Sequence, residues 1–310
     1  MADATKIEWC DSTFNPWVGC TKIAPACDHC YAESWAKRSG MVKWGNEPRR
    51  RTSEALWRNP VKWQGEAAAF FTQHGRRRRV FCASLADVFD NQVPPMWRHA
   101  LWELIRGTPD LDWLLLTKRP MNIAEMKPAF WDEVKGHVWL GTTVEDQEHA
   151  DRNIPHLLQH DSAVRFISAE PLLGPINLGA FGLAVHHHPD NVVGSPALSA
   201  VVRATRRHLA NGLTLDWVIA GGESGPQARP SHFDWFDSLR KQCLAAGVPF
   251  LFKQWGEWAP GGAPIGDPRW MRLEDPGTGR SCGLYRHGKA IAGRRLDGAL
   301  HDGFPEVAPP

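Results

Sequence analysis

Short apolar, β-branched or aromatic runs recur along the 310-residue chain, each closing on small or polar residues: 14–18, 80–83, 113–116, 138–140, 164–167, 217–220 and 250–252. Runs of this length, bounded by turn formers, are the pattern of strands buried on both faces. Between most of them lie segments of helical period, at 95–106, 121–134, 147–159 and 233–246. Strands that alternate with helices predict crossover connections and a parallel sheet. The expected fold class is therefore α/β, a partial (β/α) barrel of six to seven parallel strands.

Polar residues follow these runs repeatedly. Ser84 and Asp87 follow the second, Thr117-Lys118-Arg119 the third, and Thr142-Thr143-Val144-Glu145 the fourth. Ser168 and Glu170 follow the fifth, Gly221-Gly222-Glu223-Ser224 the sixth, and Lys253-Gln254-Trp255 the seventh. The carboxyl ends of parallel strands form the ligand face of such folds, so a shared site explains the recurrence better than chance. Residues 174–212 lengthen the connection between the fifth and sixth strands, and the tail from Pro260 is rich in Gly and Pro. Its Gly277-Thr278-Gly279 and Leu296-Asp297-Gly298 stretches predict hairpins or irregular structure. The expected organisation is a core over 1–259 with that insertion, and an extension over 260–310 packed on it.

After the first run comes Val18-Gly19-Cys20-Thr21-Lys22-Ile23-Ala24-Pro25-Ala26-Cys27-Asp28-His29-Cys30-Tyr31-Ala32-Glu33. Three cysteines this close, broken by Pro25 and set among polar residues, are poorly explained as core; metal binding explains them. A closed structural zinc site takes four ligands, whereas three thiolates leave one metal position open to something other than protein. Zinc remains the competing reading, with His29 or Cys10 as fourth ligand, in a zinc-stabilised nucleic-acid-binding protein without catalysis. His29 abuts Cys30, where joint ligation of one ion is awkward. Cys10, Cys82, Cys243 and Cys282 are scattered and read as structural, with Cys82 packed inside a strand.

Composition narrows the class without naming a function. Hydrophobic residues at 43% and charged residues at 23% exclude a disordered or fibrous chain. Seven cysteines, an odd number, with no amino-terminal apolar leader and no membrane-length apolar run, predict the reducing cytoplasm and no membrane partner. A net charge of +2 excludes a wholly basic nucleic-acid binder, although Arg49-Arg50-Arg51 and Arg76-Arg77-Arg78-Arg79 concentrate charge that suits phosphates. The second of these runs directly precedes a strand and is read as coating the barrel bottom. Most of the 16 tryptophans are expected in the core, and His186-His187-His188 in a solvated loop rather than a metal site.

The cysteine loop after the first strand of an α/β barrel resembles the radical S-adenosylmethionine superfamily. A closer resemblance is to its phage-associated, three-cysteine-motif branch of largely unknown function. It is similar in Ile7-Glu8-Trp9, Thr13-Phe14-Asn15-Pro16, Gly19-Cys20-Thr21-Lys22, Cys27, Cys30-Tyr31-Ala32-Glu33 and Phe252-Lys253-Gln254-Trp255-Gly256, and covers nearly the whole chain. The superfamily's usual spacing between cysteines is three residues then two; here it is six then two. The resemblance implies a [4Fe-4S] cluster on Cys20, Cys27 and Cys30, S-adenosylmethionine on the open iron, and an electron donor. It further implies cleavage to a 5′-deoxyadenosyl radical that attacks a substrate, with nucleic acid suggested only by the phage analogy.

The superfamily often has a Gly-Gly-Glu-like element after its second strand for the cofactor's amino group. Here Ser84 and Asp87 stand in that place and are assigned to the amino end. Gly221 and Gly222 allow close backbone approach to a ligand, a tight turn being the equal alternative. Thr142, Glu145 and Glu170 are placed to bind ribose hydroxyls; the alternative is that Thr143 or Asp146 caps a helix opening at Gln147. Lys118, Glu223, Lys253 and Gln254 are the substrate-side candidates, with Trp255 as a stacking wall. For Lys253 the alternative is a structural ion pair.

Overall fold

Among the described residues, which are 4–181, 214–262 and 266–307 of a computed structural model, seven parallel strands are hydrogen-bonded in chain order. They are β1 (Ser12–Phe14), β4 (Arg78–Cys82), β5 (Leu111–Thr117), β6 (Val138–Thr143), β7 (Val164–Ala169), β8 (Trp217–Gly221) and β9 (Phe250–Gln254), while β2 (Trp17–Val18) and β3 (Arg50–Arg51) pair apart from this sheet. An order without reversal is that of a (β/α) barrel wall, not of a doubly wound sheet. The fold is α/β, as expected. Helices Pro95–Arg106 and Phe233–Ala246 span the expected residues, and Gln147–Leu157 falls two residues short.

Two expected elements are broken, each at a proline. The run 14–18 leaves the sheet after Phe14, because Pro16 has no N–H to donate and the side chain of Asn15 is committed elsewhere. Asn15 accepts from Leu85 N–H at 2.7 Å and donates to Ser84 Oγ at 2.9 Å. Trp17–Val18 then pairs antiparallel with Arg50–Arg51. The segment 121–134 is divided into helices Ile123–Met126 and Trp131–Val134, since Pro128 forces Lys127 into an extended conformation, ψ 152°.

The chain forms two compact units: Met1–Thr142 with His160–Arg165 and Glu306–Pro310, and Thr143–Gln159 with Phe166–Pro305. In the first, β1, β4, β5 and β6 are in register with Val80 beside Trp113 and Thr117 beside Thr142. Trp17, Trp63, Trp102, Trp113 and Trp139 are fully buried in it. Two of their N–H groups have clear partners: Trp102 donates to Met126 O at 3.0 Å and Trp113 to Thr108 Oγ1 at 3.1 Å. In the second unit, Phe166 pairs with Trp217 and Ala220 with Phe252 before a bulge at Ala220/Gly221.

The tail is more regular than expected. Strands β10 (Trp258–Pro260), β11 (Trp270–Glu274) and β12 (Ser281–Arg286) make an antiparallel sheet, with the Gly277-Thr278-Gly279 stretch closing the β11–β12 hairpin. Asp297 and Gly298, at φ 52° and 75°, form the tight turn that their sequence predicts. The chain then runs along β9, where Phe252 N–H donates to His301 O at 2.9 Å. Within the insertion, His186–His188, Pro189, Pro196 and 203–208 lie outside the described residues. No helix of the described residues is long and apolar enough to cross a membrane.

Both arginine runs are consumed by the fold. Arg76 grips Asp11 with two bonds of 2.7 and 2.9 Å, Arg78 lies over Phe70, and Arg79 lies over Trp139. These contacts sit at the amino ends of the strands, away from the expected ligand face. Arg51 pairs with Glu54 and covers Trp57.

Asp112 is the most deeply buried carboxylate described in this lower layer, 1% exposed on β5, with Arg77 at 3.8 Å. Burial pushes its carboxyl up to about 6 from an ordinary 3.8, against the pull of Arg77 and Arg79, and burial likewise lowers Arg79 to about 10. The folded chain therefore holds this proton more tightly than the unfolded one. Stability contributed by the protonated form is complete below about pH 4 and is lost as pH rises to about 6, a change on the order of 3 kcal/mol. Urea denaturation of the wild type between pH 4 and 7 should show this fall; Asp112→Asn should flatten that step.

Candidate functional site

The cysteine loop is built from local constraints. Gly19 has φ +109°, and a Cβ there would meet Val42 and Arg49 side chains at 3.1 and 3.2 Å, so glycine suits both backbone and space. Gly19 N–H donates to Leu85 O at 3.1 Å, and Cys20 O accepts from Gly45 N–H at 3.0 Å. Pro25 starts a 3-10 turn, Pro25–Cys27, where its missing N–H costs nothing. Cys30 is the N-cap of helix Tyr31–Ser39, the helix end that favours negative charge. That helix carries Glu33 in its first turn, Lys37 and Arg38 in its last, and ends on Gly40 at φ 64°. Lys22 reaches back to Glu33 at 2.8 Å and to Asp28 O at 3.0 Å, tying the loop to the helix.

Beneath the loop lies a buried ionic network. Arg119, just after β5, places Nη1 3.6 Å from Cys20 Sγ and 3.1 Å from Asp87 Oδ2, and Nη2 3.0 Å from Thr21 O. Asp90 stands 4.0 Å from Arg119 Nη2 and forms a 2.7 Å pair with Arg49. Arg49 also donates to Gly45 O and Thr21 Oγ1, each at 2.7 Å. Burial and the Asp87 charge push the Cys20 thiol up to about 11, with Arg119 opposing them.

Asp87 is not left open for a cofactor amine. Its oxygens accept from Thr117 Oγ1 at 2.8 Å, Phe89 N–H at 2.9 Å, Lys118 N–H at 3.2 Å and Arg119. A carboxylate has about four acceptor positions, so protein donors fill this one. Ser84 accepts from Asn15, and its carbonyl accepts from Tyr31 Oη at 2.5 Å. Thr142 donates to Thr117 O at 3.0 Å and is fully buried; Lys118 is half-buried. Arg49, Asp90 and Arg119 were not among the expected site residues. The signal that marks them is Asp87-x-x-Asp90 after a strand, paired with an arginine directly after the next one.

All seven cysteines are free thiols. Cys82 and Cys243 are buried, Cys243 pushed up to about 12 by burial, in keeping with packed roles. Cys10 precedes β1 and feels the charge of Arg79, so it lies at the amino ends of the strands. Cys20 lies at their carboxyl ends beside Arg119, which removes Cys10 as a fourth ligand for the loop. Among the described residues no three His, Cys, Asp or Glu side chains converge on one metal ion. In a cubane each thiolate takes a different iron, so its ligands stand apart instead of meeting at a point. Three thiols on one loop, one beside a guanidinium and one at a helix N-terminus, form a donor set that suits such a cluster.

In the second unit, the candidates pair with one another. Glu170 Oε1 takes Lys253 Nζ at 2.6 Å and faces Gln254 Nε2 at 3.4 Å, so the ion-pair alternative for Lys253 is the observed one. Gln254 also donates to Gly222 O at 3.2 Å and Ser224 Oγ at 2.9 Å, while its Oε1 is buried with no partner among the described residues. Glu223 is held by Arg229 through bonds of 2.9 and 2.6 Å. Glu145 is fully buried with His149 at 3.5 Å, and Asp146 caps helix Gln147–Leu157 by accepting from His149 N–H at 2.9 Å. The capping alternative thus holds for Asp146.

The glycines answer to backbone crossing. A Cβ on Gly222 would lie 1.9 Å from Trp255 O, and one on Gly256 2.0 Å from Glu223 O; Gly221 packs on the Glu170 side chain. Trp255 is buried against Phe233, Phe236 and Phe252, with its N–H on Arg295 O at 2.8 Å.

Residues 4–305 match a family model described as a protein of unknown function, DUF5131. No curated protein matches the chain. Among solved structures, the chain is similar to spore photoproduct lyase complexed with dinucleoside spore photoproduct, at 10% identity and TM-score 0.40, covering 87% of this chain and 67% of that one. It is also similar to a double mutant of that lyase with bound AdoMet and the same dinucleoside, at 10% identity and TM-score 0.40, covering 92% and 73%.

Asp87→Ala should leave Arg119 as an uncompensated buried charge and cost about 3–5 kcal/mol of folding stability. Ser84→Ala removes one hydrogen bond and should cost about 1 kcal/mol. Urea titrations of both variants check the contrast; near-equal, small losses would show that Asp87 does not anchor the network.

Proposed function

The chain belongs to the DUF5131 family, and we propose that it is a radical S-adenosylmethionine enzyme with a [4Fe-4S] cluster on Cys20, Cys27 and Cys30. The observation that carries this reading is a three-thiol loop at the carboxyl ends of the strands, with a buried guanidinium donating to its first sulfur. Cys20, Cys27 and Cys30 would hold the cluster, which when bound and reduced by an external electron donor would supply the electron for reductive cleavage of the sulfonium.

The chain's own part is to hold and shield. Arg119 fixes Cys20 and its neighbour Thr21 from below, and Asp87 and Asp90 balance the arginines, so the loop is preset before anything binds. Cys30, half-buried and packed against Val18, Ala32 and Leu85, limits water on its side of the loop. In the second unit we assign Gln254 Oε1, a buried acceptor in want of a donor, to a hydroxyl or amino group of a bound ligand. The Glu170–Lys253 pair beside it would orient that group.

Anaerobic reconstitution with iron and sulfide, followed by absorption and EPR spectra, tests the cluster. Cys20→Ala, Cys27→Ala or Cys30→Ala should each abolish the chromophore, while Cys82→Ala and Cys243→Ala should retain it. Dithionite with S-adenosylmethionine should then release 5′-deoxyadenosine, slowly without substrate. Stoichiometric zinc that persists in protein purified anaerobically with excess iron would defeat the reading, as would a cluster EPR signal unmoved by S-adenosylmethionine with no cleavage product. Single-stranded and duplex DNA are the first substrates to add, and an accelerated release of 5′-deoxyadenosine is the sign of a match.

A further inference from the structure

Arg119 is unusual in where its donors go. One nitrogen is shared between Cys20 Sγ at 3.6 Å and Asp87 at 3.1 Å, and the other holds Thr21 O at 3.0 Å. Its side chain is 10% exposed, so water competes little for these bonds. The neighbouring charges cancel in pairs, Arg119 with Asp87 and Arg49 with Asp90. What remains uncancelled is direction: it is the guanidinium, and not a carboxylate, that touches the sulfur.

We propose that Arg119 is a positioning residue that sets the reduction potential of the cluster through Cys20, an inference that rests on the reading of Cys20 as a cluster ligand. Adding an electron to the cluster increases negative charge on its thiolates. A hydrogen-bond donor and a cation at one sulfur stabilise that added charge, more so in a buried, low-dielectric setting, and so raise the potential. Among the described residues, Lys22 brings a charge near Cys30 without a hydrogen bond to its sulfur, and it is Cys20 whose sulfur takes a direct bond from a buried guanidinium, so the first cysteine is the one through which Arg119 acts. Arg119 also carries the backbone of the loop at Thr21, which couples the sulfur's position to the ends of β4 and β5.

The test is a spectroelectrochemical titration of reconstituted wild type, Arg119→Lys, Arg119→Met and the pair Arg119→Met with Asp87→Asn. The double variant removes both charges together and so guards against a misfolded single variant. The potential should become more negative in the order wild type, Arg119→Lys, Arg119→Met, and should also be more negative than wild type in the double variant, where charge is balanced but the donor to sulfur is gone. Full cluster content with unchanged potentials in Arg119→Met and in the double variant overturns the inference. So does loss of the cluster from folded Arg119→Lys and the double variant alike, because Arg119 would then be required for loading instead of tuning. Failure of the wild type itself to take up iron strikes the cluster reading first, and with it this one.

Discussion

Four charged side chains with almost no contact with water hold the cysteine loop in place. Asp87 and Asp90 follow β4, Arg119 follows β5, and Arg49 directly precedes β3, the strand that pairs with β2. Desolvating four ions is costly, and only full pairing with hydrogen bonds to the remaining lone pairs and protons offsets it. The pairing here is nearly complete, since Asp87 gains Thr117 and backbone donors and Arg49 gains Gly45 and Thr21. Such a network stabilises little by itself. Its effect is selective: any loop geometry that separates one ion from its partner is heavily penalised, so one geometry of Cys20 is specified.

The main strands were legible because a strand of a parallel sheet is buried on both faces and its apolar run is uninterrupted. Val80, Trp113, Val138 and Phe166 lie within the observed strands for this reason. Reading failed where an apolar run crossed a proline whose tertiary consequence is invisible in a hydrophobic pattern. Trp17 and Val18 look like more of β1 and instead belong to a separate ribbon, and Pro128 divides a segment that keeps helical period on both sides. The turn at Asp297-Gly298 was readable since its chemistry is local.

Of the candidate site, the cysteines announced themselves through spacing, and the strand-end positions of Ser84, Glu170, Gly221 and Lys253 followed from the alternation of elements. Their partners did not. Asp87 and Arg119 are distant in sequence, as are Glu170 and Lys253, and nothing in a single chain of letters says that two strand-end residues will neutralise one another. Sequence reasoning therefore assigned to ligands several groups whose hydrogen bonds are spent on the protein. The reverse also holds: Gln254, read only as a substrate-side candidate, has a buried side-chain oxygen with no protein donor among the described residues.

The crossing of Gly222 under Trp255 O, and of Gly256 under Glu223 O, has a mechanical meaning. Each backbone occupies the place where the other's side chain would be, so the ends of β8 and β9 are interlocked like two notched beams. Neither can slide along the other without first moving apart. Lys253 and Gln254 lie directly before this crossing, Glu223 with its Arg229 clamp lies on its other side, and Trp255 ties it to the tail at Arg295. This corner of the second unit has the build of a stiff frame, whose compliance lies in the segments it joins and not in the joint itself.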